Sequence, residues 1–396
     1  MRGPTPDERM NAPPRMRFDR AEMGGALGDL GTFIPLLVGM VNRCGLQLGP
    51  ALVCAGLMNL VTGLAFGIPM PVQPMKAIAA VAIDEGLSQS QILAAGIATG
   101  GVMLFLALTG LIDWLNRAIP RSVVRGLQLA LGLKLLTKGI DMIASTGGLI
   151  GPDSIGLGLL CAGLVLLFYF STRVPGALVV FLVGLVALLA AKPALLSELR
   201  LAPAWVLPDL SNGSDWRIGL LRGTLPQVPL TTLNSVIAVC ALSLDLFPSR
   251  PAAPKRVAVS VSLMNLICCP LGGMPMCHGA GGLAAQHRFG ARTGGSVVML
   301  GAAKVVLGIA FGGSLFALLQ QFPQSVLGVL LVFSGLELAL VCRDQTARVD
   351  FFVMVLTAGA CMAVNTAAGF LIGWAMAALL IWGVFRVEPP PDNPGA

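Results

Sequence analysis

Apolar segments close to the length of a membrane span follow one another along almost the whole chain. Seven precede a more polar, proline-containing stretch and seven follow it, whereas a helix needs about 20 apolar residues to cross a bilayer. Only 11% of the residues are charged, against about 25% in a soluble domain, so most of the surface must face lipid. The segments lie at about 24–41, 50–67, 75–84, 90–112, 122–140, 155–171, 175–191, 220–245, 256–271, 278–286, 294–320, 324–342, 349–366 and 368–385. The sequence therefore predicts an all-α polytopic membrane protein.

The two halves of the chain are related in sequence. LMNLVTGLAFGIPM (57–70) aligns without gaps with LMNLICCPLGGMPM (263–276), and PRSVVRGLQLALGLKLL (120–136) aligns with PQSVLGVLLVFSGLELA (323–339) at nearly the same offset. Because each half has an odd number of passes, the second half enters the membrane from the opposite side, which gives an inverted repeat. The predicted fold is a seven-plus-seven inverted repeat of about 14 transmembrane segments, two of which are half-helices.

This arrangement divides the chain into five parts. A tail at 1–21 precedes the first repeat at 22–191, an extracytoplasmic linker at 192–218 leads to the second repeat at 219–386, and a short tail at 387–396 follows. With the N-terminus inside, 17 Lys and Arg residues fall on inner loops and tails and six on outer ones. Because such residues are enriched on cytoplasmic loops, we expect both tails in the cytoplasm, the first one disordered, and the protein in the cell (inner) membrane.

Two segments, 75–84 and 278–286, are too short to cross a hydrocarbon core of about 30 Å. They lie at equivalent places in the two repeats, in GIPMPVQPMKAIAA (67–80) and GGMPMCHGAGGLAA (272–285). Proline lacks the amide N–H and interrupts a helix, so an extended stretch followed by a half-helix is predicted in both places. Helix N-termini carry unpaired N–H groups and partial positive charge, and two of them that meet inside the membrane form an anion site.

The side chains beside these breaks agree with an anion site. Lys76 adds a positive charge at the start of the first half-helix, and His278 and Gln73 can donate hydrogen bonds. The run HGAGG (278–282) has little side-chain bulk, so an anion can approach its backbone. Snorkelling of Lys76 to an interface, a hydrogen-bonded core role for His278 and helix packing for the glycines stay open as alternatives. The predicted substrate-binding residues are Gln73, Lys76, Ala77, His278, Gly279, Ala280, Gly281 and Gly282.

Further ionisable residues lie inside predicted spans, where charges are costly and are therefore functional candidates. Asp29 is a candidate to carry a coupling proton or to orient Lys76. Glu337 and Lys134 occupy equivalent positions in the two repeats, so they either pair with each other or leave Glu337 to carry the coupling proton. Lys304 is expected to neutralise a neighbouring carboxylate.

The motifs at both breaks resemble a known family. PVQPMKAIAAVAI (71–83) and GGMPMCHGAGGLAAQHRFGARTG (272–294) are similar to the two signature motifs of the molybdate transporter family related to the sulfate permeases, and GALGDLGTFIPLL (25–37) resembles that family's first span. The resemblance implies the fold shared by sulfate permeases and nucleobase transporters, in which a core domain that holds both half-helices moves against a gate domain. It also implies a secondary transporter that imports molybdate by alternating access, with sulfate as an alternative or competing substrate.

Other functions fit the sequence less well. A nucleobase transporter on the same fold should have carboxylates at the half-helix site, where this chain has Lys76 and His278, and a passive anion channel would lack saturable counterflow. An intramembrane enzyme needs a cluster of catalytic side chains, but only two histidines are present, so we expect no enzymatic activity, no metal and no cofactor. The basic residues lie between apolar runs, so nucleic acid is not expected either. The expected partners are molybdate or sulfate and the lipid bilayer, while protons and a second copy in a homodimer stay open.

Overall fold

The computed structural model describes residues 16–112, 114, 118–171, 174–198, 200, 201, 205–385 and 387, which form a helical bundle. The helices of the first half are α1 (Arg20–Cys44), α2 (Leu48–Phe66), α3 (Lys76–Glu85), α4 (Gln89–Thr109), α5 (Arg121–Ala144), α6 (Ile155–Leu167) and α7 (Gly176–Ala191). A single helical turn, Leu195–Glu198, precedes α8 (Gly213–Leu246), α9 (Pro254–Cys268), α10 (Ala280–Arg288), α11 (Gly295–Gln320), α12 (Gln324–Leu340), α13 (Arg348–Ala363) and α14 (Thr366–Ile381). Two short strands, β1 (Gln73–Pro74) and β2 (Met276–Cys277), precede α3 and α10.

The helix bounds differ from the predicted segments in a few places. Helix α1 begins at Arg20, inside the predicted tail, and α8 begins at Gly213, inside the predicted linker. Helix α8 contains two π-helical stretches, Gly219–Thr224 and Thr231–Ala238. Most of both predicted tails, residues 1–15 and 388–396, lies outside the described residues.

In the described ranges, six helices are long and apolar enough to cross a membrane, namely α1, α2, α4, α8, α11 and α12 together with the turn that follows it. Three shorter apolar helices are α6, α7 and α14. Large apolar side chains point away from the bundle, for example Leu64, Phe105 and Val186 at 66%, 59% and 67% exposure. The prediction of a mostly helical, multi-pass membrane protein is therefore confirmed, although length and composition identify fewer spans in the described ranges than the sequence predicted.

Local sequence signals set the ends of the helices around the breaks. Gly67 ends α2 with a φ of 66° and Gly86 ends α3 with a φ of 71°, left-handed values that favour glycine. Helix α4 begins with a capping box, in which Ser88 and Gln91 satisfy each other's backbone amides. The chain therefore leaves α2 sharply, passes through an extended stretch and re-enters a helix for only ten residues.

The two breaks contact each other inside the bundle. Strands β1 and β2 pair antiparallel, with Gln73 opposite Cys277. Just beyond this pair, the amide of Met75 donates to the carbonyl oxygen of Pro275 at 2.9 Å. Helices α3 and α10 start directly after the two strands, so two short helices begin close together, as the sequence predicted.

Glycines bring helices of the first half into close contact with helices of the second. A Cβ atom added at Gly56 on α2 would lie 2.6 Å from the carbonyl oxygen of Gly301 on α11, and the reverse distance is the same. Helices α5 and α12 cross in the same way at Gly132 and Gly335, with corresponding distances of 2.6 and 2.4 Å. Small residues let helix backbones approach each other in membranes, so the two halves pack as one bundle.

Candidate functional site

The candidate site lies where α3 and α10 begin. Lys76, the first residue of α3, is half-buried, and Gly281, in the first turn of α10, is exposed. A Cβ atom added at Gly281 would lie 3.9 Å from Nζ of Lys76, so the ammonium group lies close to the start of α10, and the exposed space beside them is called the gap. Within the described ranges, Lys76 forms no hydrogen bond or ion pair, although the carboxylates of Asp29 and Glu337 act on it through space. Its charge is therefore available to a ligand.

The amide groups at the two helix starts are not equally free. Oε1 of Gln227, on α8, accepts hydrogen bonds from the amides of Ala77 and Ile78 at 2.9 and 3.2 Å. The start of α3 is thus capped by the protein itself, and the predicted contact of a ligand with the amide of Ala77 is blocked in this conformation. Among the described residues, no side chain caps the start of α10, and the first N–H groups of a helix have no partner within the helix. The amides near Ala280 and Gly281 are therefore the ones that an anion can reach.

His278 is buried, and both of its ring nitrogens contact the protein. Nδ1 lies 2.7 Å from the carbonyl oxygen of Pro71, and Nε2 lies 2.9 Å from the hydroxyl of Ser260 on α9. Because a carbonyl oxygen only accepts, Nδ1 donates to Pro71 and Nε2 of the neutral ring accepts from Ser260. His278 also lies just before Gly279, the N-cap of α10, and not within the helix. In this conformation His278 joins the second break to the first through hydrogen bonds. This is the hydrogen-bonded core role that the sequence left open as an alternative.

The predicted glycines have two different surroundings. A Cβ atom added at Gly279 would lie 2.6 Å from Oε1 of Gln73, and one at Gly282 would lie 2.5 Å from Nε2 of the same side chain. These two glycines are small because Gln73 packs against their backbone. At Gly281 the nearest atom is the end of the Lys76 side chain, so only this glycine of the three opens onto the gap.

Asp29 is part of a buried polar cluster behind the gap. Gln73 donates to Oδ1 of Asp29 at 2.8 Å, and Nζ of Lys304 on α11 lies 3.7 Å from Oδ2. Lys304 also donates to Asn59 on α2 at 3.0 Å, and its ammonium lies 3.5 Å from the centre of the Phe33 ring. The prediction that Lys304 neutralises a neighbouring carboxylate is confirmed, and Asp29 is that carboxylate. The amide group of Gln73 is therefore directed at Asp29 and not into the gap.

Of the two alternatives that the sequence left open, the pairing of Lys134 with Glu337 is contradicted. Lys134 forms ion pairs with Asp84 and Glu85 at the end of α3, at 3.0 and 3.5 Å. Glu337 is exposed and accepts a hydrogen bond from the hydroxyl of Tyr169 at 2.6 Å. Both residues come two positions after the glycines at which α5 and α12 cross, so each projects about 200° around its helix, away from the crossing.

Several residues that shape the site were absent from the sequence prediction. They include Ser260, which holds His278, and Asn59, which accepts from Lys304. Tyr169, the only tyrosine of the chain, was missed as well. A single phenol at the end of an apolar helix could have indicated a hydrogen bond to a polar partner such as Glu337.

The geometry suits an anion better than a metal ion. One ammonium group, one uncapped helix start and a glycine backbone meet at the gap, and all of these attract negative charge. Across the described ranges, no group of three or more His, Cys, Asp or Glu side chains is arranged to hold a metal ion.

Two stretches of the chain match a known family. Residues 21–135 and 219–338 match the family described as "Molybdate transporter of MFS superfamily". The matched ranges include both breaks, Lys76, the start of α10 and the buried pair of Asp29 and Lys304.

Curated proteins with similar sequences are also named as molybdate transporters. The chain is 40% identical to Molybdate transporter 1 of Arabidopsis thaliana, in a match that covers 90% of this chain and 87% of that protein. It is 41% identical to Molybdate transporter 2 of the same plant, over 91% of this chain and 87% of the relative. Molybdate transporter 1 of Chlamydomonas reinhardtii is 38% identical, over 89% and 90% of the two chains. The relatives are thus named as transporters, in agreement with the prediction that the chain is not an enzyme.

Solved structures of anion transporters have a similar fold. The transmembrane domain of the cyanobacterial bicarbonate transporter BicA superposes with a TM-score of 0.65 over 92% of this chain and 98% of that domain, at 13% identity. The murine anion transporter SLC26A9 in the inward-facing state gives a TM-score of 0.68 over 94% of this chain and 70% of that protein, at 14% identity. At such low identity the similarity concerns the fold alone.

Proposed function

Because the chain belongs to the molybdate transporter family, we propose that it imports molybdate across a membrane and binds it between Lys76 and the start of α10. The observation that carries this proposal is the accessible gap in which the Lys76 ammonium, free of any ion pair in the described ranges, faces Gly281 and the uncapped amides. Molybdate is a tetrahedral dianion, and both a full positive charge and a helix N-terminus stabilise such an ion.

The transport mechanism that we propose is alternating access by an inverted repeat. The repeats at 22–191 and 219–386 are joined by the linker at 192–218. Because β1 and β2 are hydrogen-bonded to each other, both half-helices move as one body. The paired half-helices contact the neighbouring helices and loops through polar interactions that can break and re-form. Examples are the ion pairs of Lys134 with the end of α3 and the hydrogen bond from Arg288, at the end of α10, to the carbonyl oxygen of Phe170.

We further propose that protons drive the import and that Glu337 carries the coupling proton. Asp29 is buried against Lys304 and serves to fix Gln73, whereas Glu337 is exposed and acts through space on Lys76. Protonation of Glu337 would remove a negative charge that attracts Lys76, and so would leave Lys76 freer for the anion. We expect Glu337→Gln to reduce the pH dependence of uptake while preserving exchange of bound molybdate. A Glu337→Gln variant with the pH profile of the wild type would exclude this role.

The proposed location is the cell (inner) membrane, with both termini in the cytoplasm. A reporter that is active only in the cytoplasm, fused after residue 396, tests the second point. Activity of the same reporter exclusively on the outer side would overturn the orientation.

Uptake of labelled molybdate into proteoliposomes tests the substrate and the site together. We expect saturable uptake and counterflow by the wild type, with tungstate and sulfate as competitors at several pH values. Lys76→Ala should reduce uptake at least tenfold, which corresponds to about 1.4 kcal/mol or more of lost interaction. The matched control is Lys138→Ala, a half-buried lysine on α5 with no ion pair in the described ranges. Normal uptake by a correctly inserted Lys76→Ala variant would contradict the proposed site, and flux without saturation or counterflow would indicate a channel.

A further inference from the structure

A second cationic cavity lies away from the gap, at the end of α2. It has a volume of about 340 Å³ and is lined by Leu64, Phe66, Gly67, Arg250 and Arg256, among others. Small-ligand sites usually measure about 300–1,000 Å³, so the cavity is large enough for a small polar group. None of these residues takes part in the candidate molybdate site.

Two guanidinium groups supply the charge of this cavity. Arg250 donates to the carbonyl oxygen of Gly67 at 3.5 Å, and Arg256 donates to the carbonyl oxygen of Ala65. The guanidinium carbon of Arg256 also lies 5.0 Å from the centre of the Phe66 ring. Neither arginine forms an ion pair with a carboxylate of the described residues. Because each guanidinium has five N–H donors, most of them remain available to an anion.

The approach to the cavity is apolar. Leu57, Val61 and Leu64 on α2 are 44%, 57% and 66% exposed. Their spacing of four and three residues places them on one face of the helix, and this face runs along α2 towards the cavity. In a protein that spans a membrane, such a face contacts lipid acyl chains.

We propose that the cavity binds the phosphodiester headgroup of an anionic phospholipid, whose acyl chain lies along the face formed by Leu57, Val61 and Leu64. Arginine forks bind phosphate oxygens in pairs, and basic pockets at the membrane surface bind anionic headgroups. A soluble oxyanion would use the two arginines equally well, but it would leave the apolar approach without a role. Because Arg250 contacts the carbonyl of Gly67, a bound lipid would also steady the turn at which α2 leads into the first break.

Lipid-dependent thermal stability of the purified full-length chain tests this proposal. We expect phosphatidylglycerol to raise the unfolding temperature of the wild type more than phosphatidylcholine does. In the double variant Arg250→Gln/Arg256→Gln this difference should disappear. The matched control is Arg217→Gln/Arg348→Gln, which changes the net charge equally at two exposed arginines and should keep the difference. A phosphatidylglycerol effect that survives in the cavity variant would overturn the proposal.

Two additional measurements separate a lipid from a soluble anion and guard against misfolding. In the first measurement, inorganic phosphate or molybdate is added in place of lipid. The assignment to lipid would be overturned if either anion raised the unfolding temperature as much as phosphatidylglycerol does and this rise disappeared in the cavity variant. If the glutamine variant does not fold, the double variant Arg250→Lys/Arg256→Lys takes its place, because it keeps the charge but removes the two guanidinium groups. Native mass spectrometry should then show several-fold less bound phosphatidylglycerol than in the wild type, and unchanged retention would contradict the proposal.

Discussion

The two half-helices begin side by side, yet the amide groups at their starts differ in their hydrogen bonds. The start of α3 follows a proline-rich stretch and is capped by Gln227, and it contributes the side chain of Lys76. The start of α10 follows a glycine-rich stretch, is capped by no side chain in the described part of the chain and contributes backbone at Gly281. Positions that the alignment of the two halves pairs therefore need not bind the same way. One half provides a full charge on a side chain, and the other provides the open helix end towards which that charge points.

The largest effect that we expect concerns the buried cluster of Asp29, Lys304 and Gln73 behind the gap. This cluster holds the side chain of Gln73 against the backbone of the second break. Lys304→Met removes one partner of a buried ion pair and should destabilise the protein by about 3–5 kcal/mol. The double variant Asp29→Asn/Lys304→Met removes both charges and should recover most of this loss. Thermal unfolding in detergent measures both. A single variant as stable as the double one would show that Lys304 is not needed to compensate Asp29.

Gly281→Ala tests whether the open helix end of α10 binds the anion. The added methyl group fits without a clash, 3.9 Å from Nζ of Lys76, but it occupies the gap. We expect the KM for molybdate to rise about tenfold, which corresponds to about 1.4 kcal/mol. Gly101→Ala on α4 is the matched control, because a Cβ atom there meets nothing within 4 Å. An unchanged KM in the Gly281 variant would place the anion elsewhere.

Gln227→Ala tests the capped end, where we expect the smallest effect. Loss of the cap should reduce stability by about 1 kcal/mol, because two amides at the start of α3 lose their acceptor. The KM for molybdate should stay within about twofold of the wild type, since twofold is well under 1 kcal/mol. Gln324→Ala, at the start of α12, is a suitable control for the loss of an amide side chain. A large change of KM in the Gln227 variant would instead place the start of α3 in the binding site.

Features that act locally in the chain were predictable from sequence. The prolines and glycines of the two breaks interrupt the helix there, so the starts of α3 and α10 were predicted to within two residues. The contacts that decide how these starts are used join distant parts of the chain. Gln227 caps Ala77 across 150 positions, and His278 contacts Pro71 across 207. No local pattern reveals such a contact.

The error at Lys134 has a similar physical origin. An alignment of the two halves pairs positions, but it does not show which face of a helix points at the other half. Gly132 and Gly335 are paired by this alignment and do meet, because they lie on the faces that cross. Lys134 is only two residues further along and points to the opposite side, where it meets the end of α3.

The pairing of β1 with β2 has a consequence for how the protein is made. Gln73 is synthesised long before its partner Cys277, and until then the first break has no strand to pair with. Unpaired backbone groups exposed to hydrocarbon cost several kcal/mol each, so the early half of the chain cannot settle at its final depth in the bilayer on its own. It must wait in water, or be shielded by the insertion machinery, until the later half emerges from the ribosome. A chain that stops before residue 276 lacks the partner of β1 and should therefore resist proteolysis less well than the full-length chain.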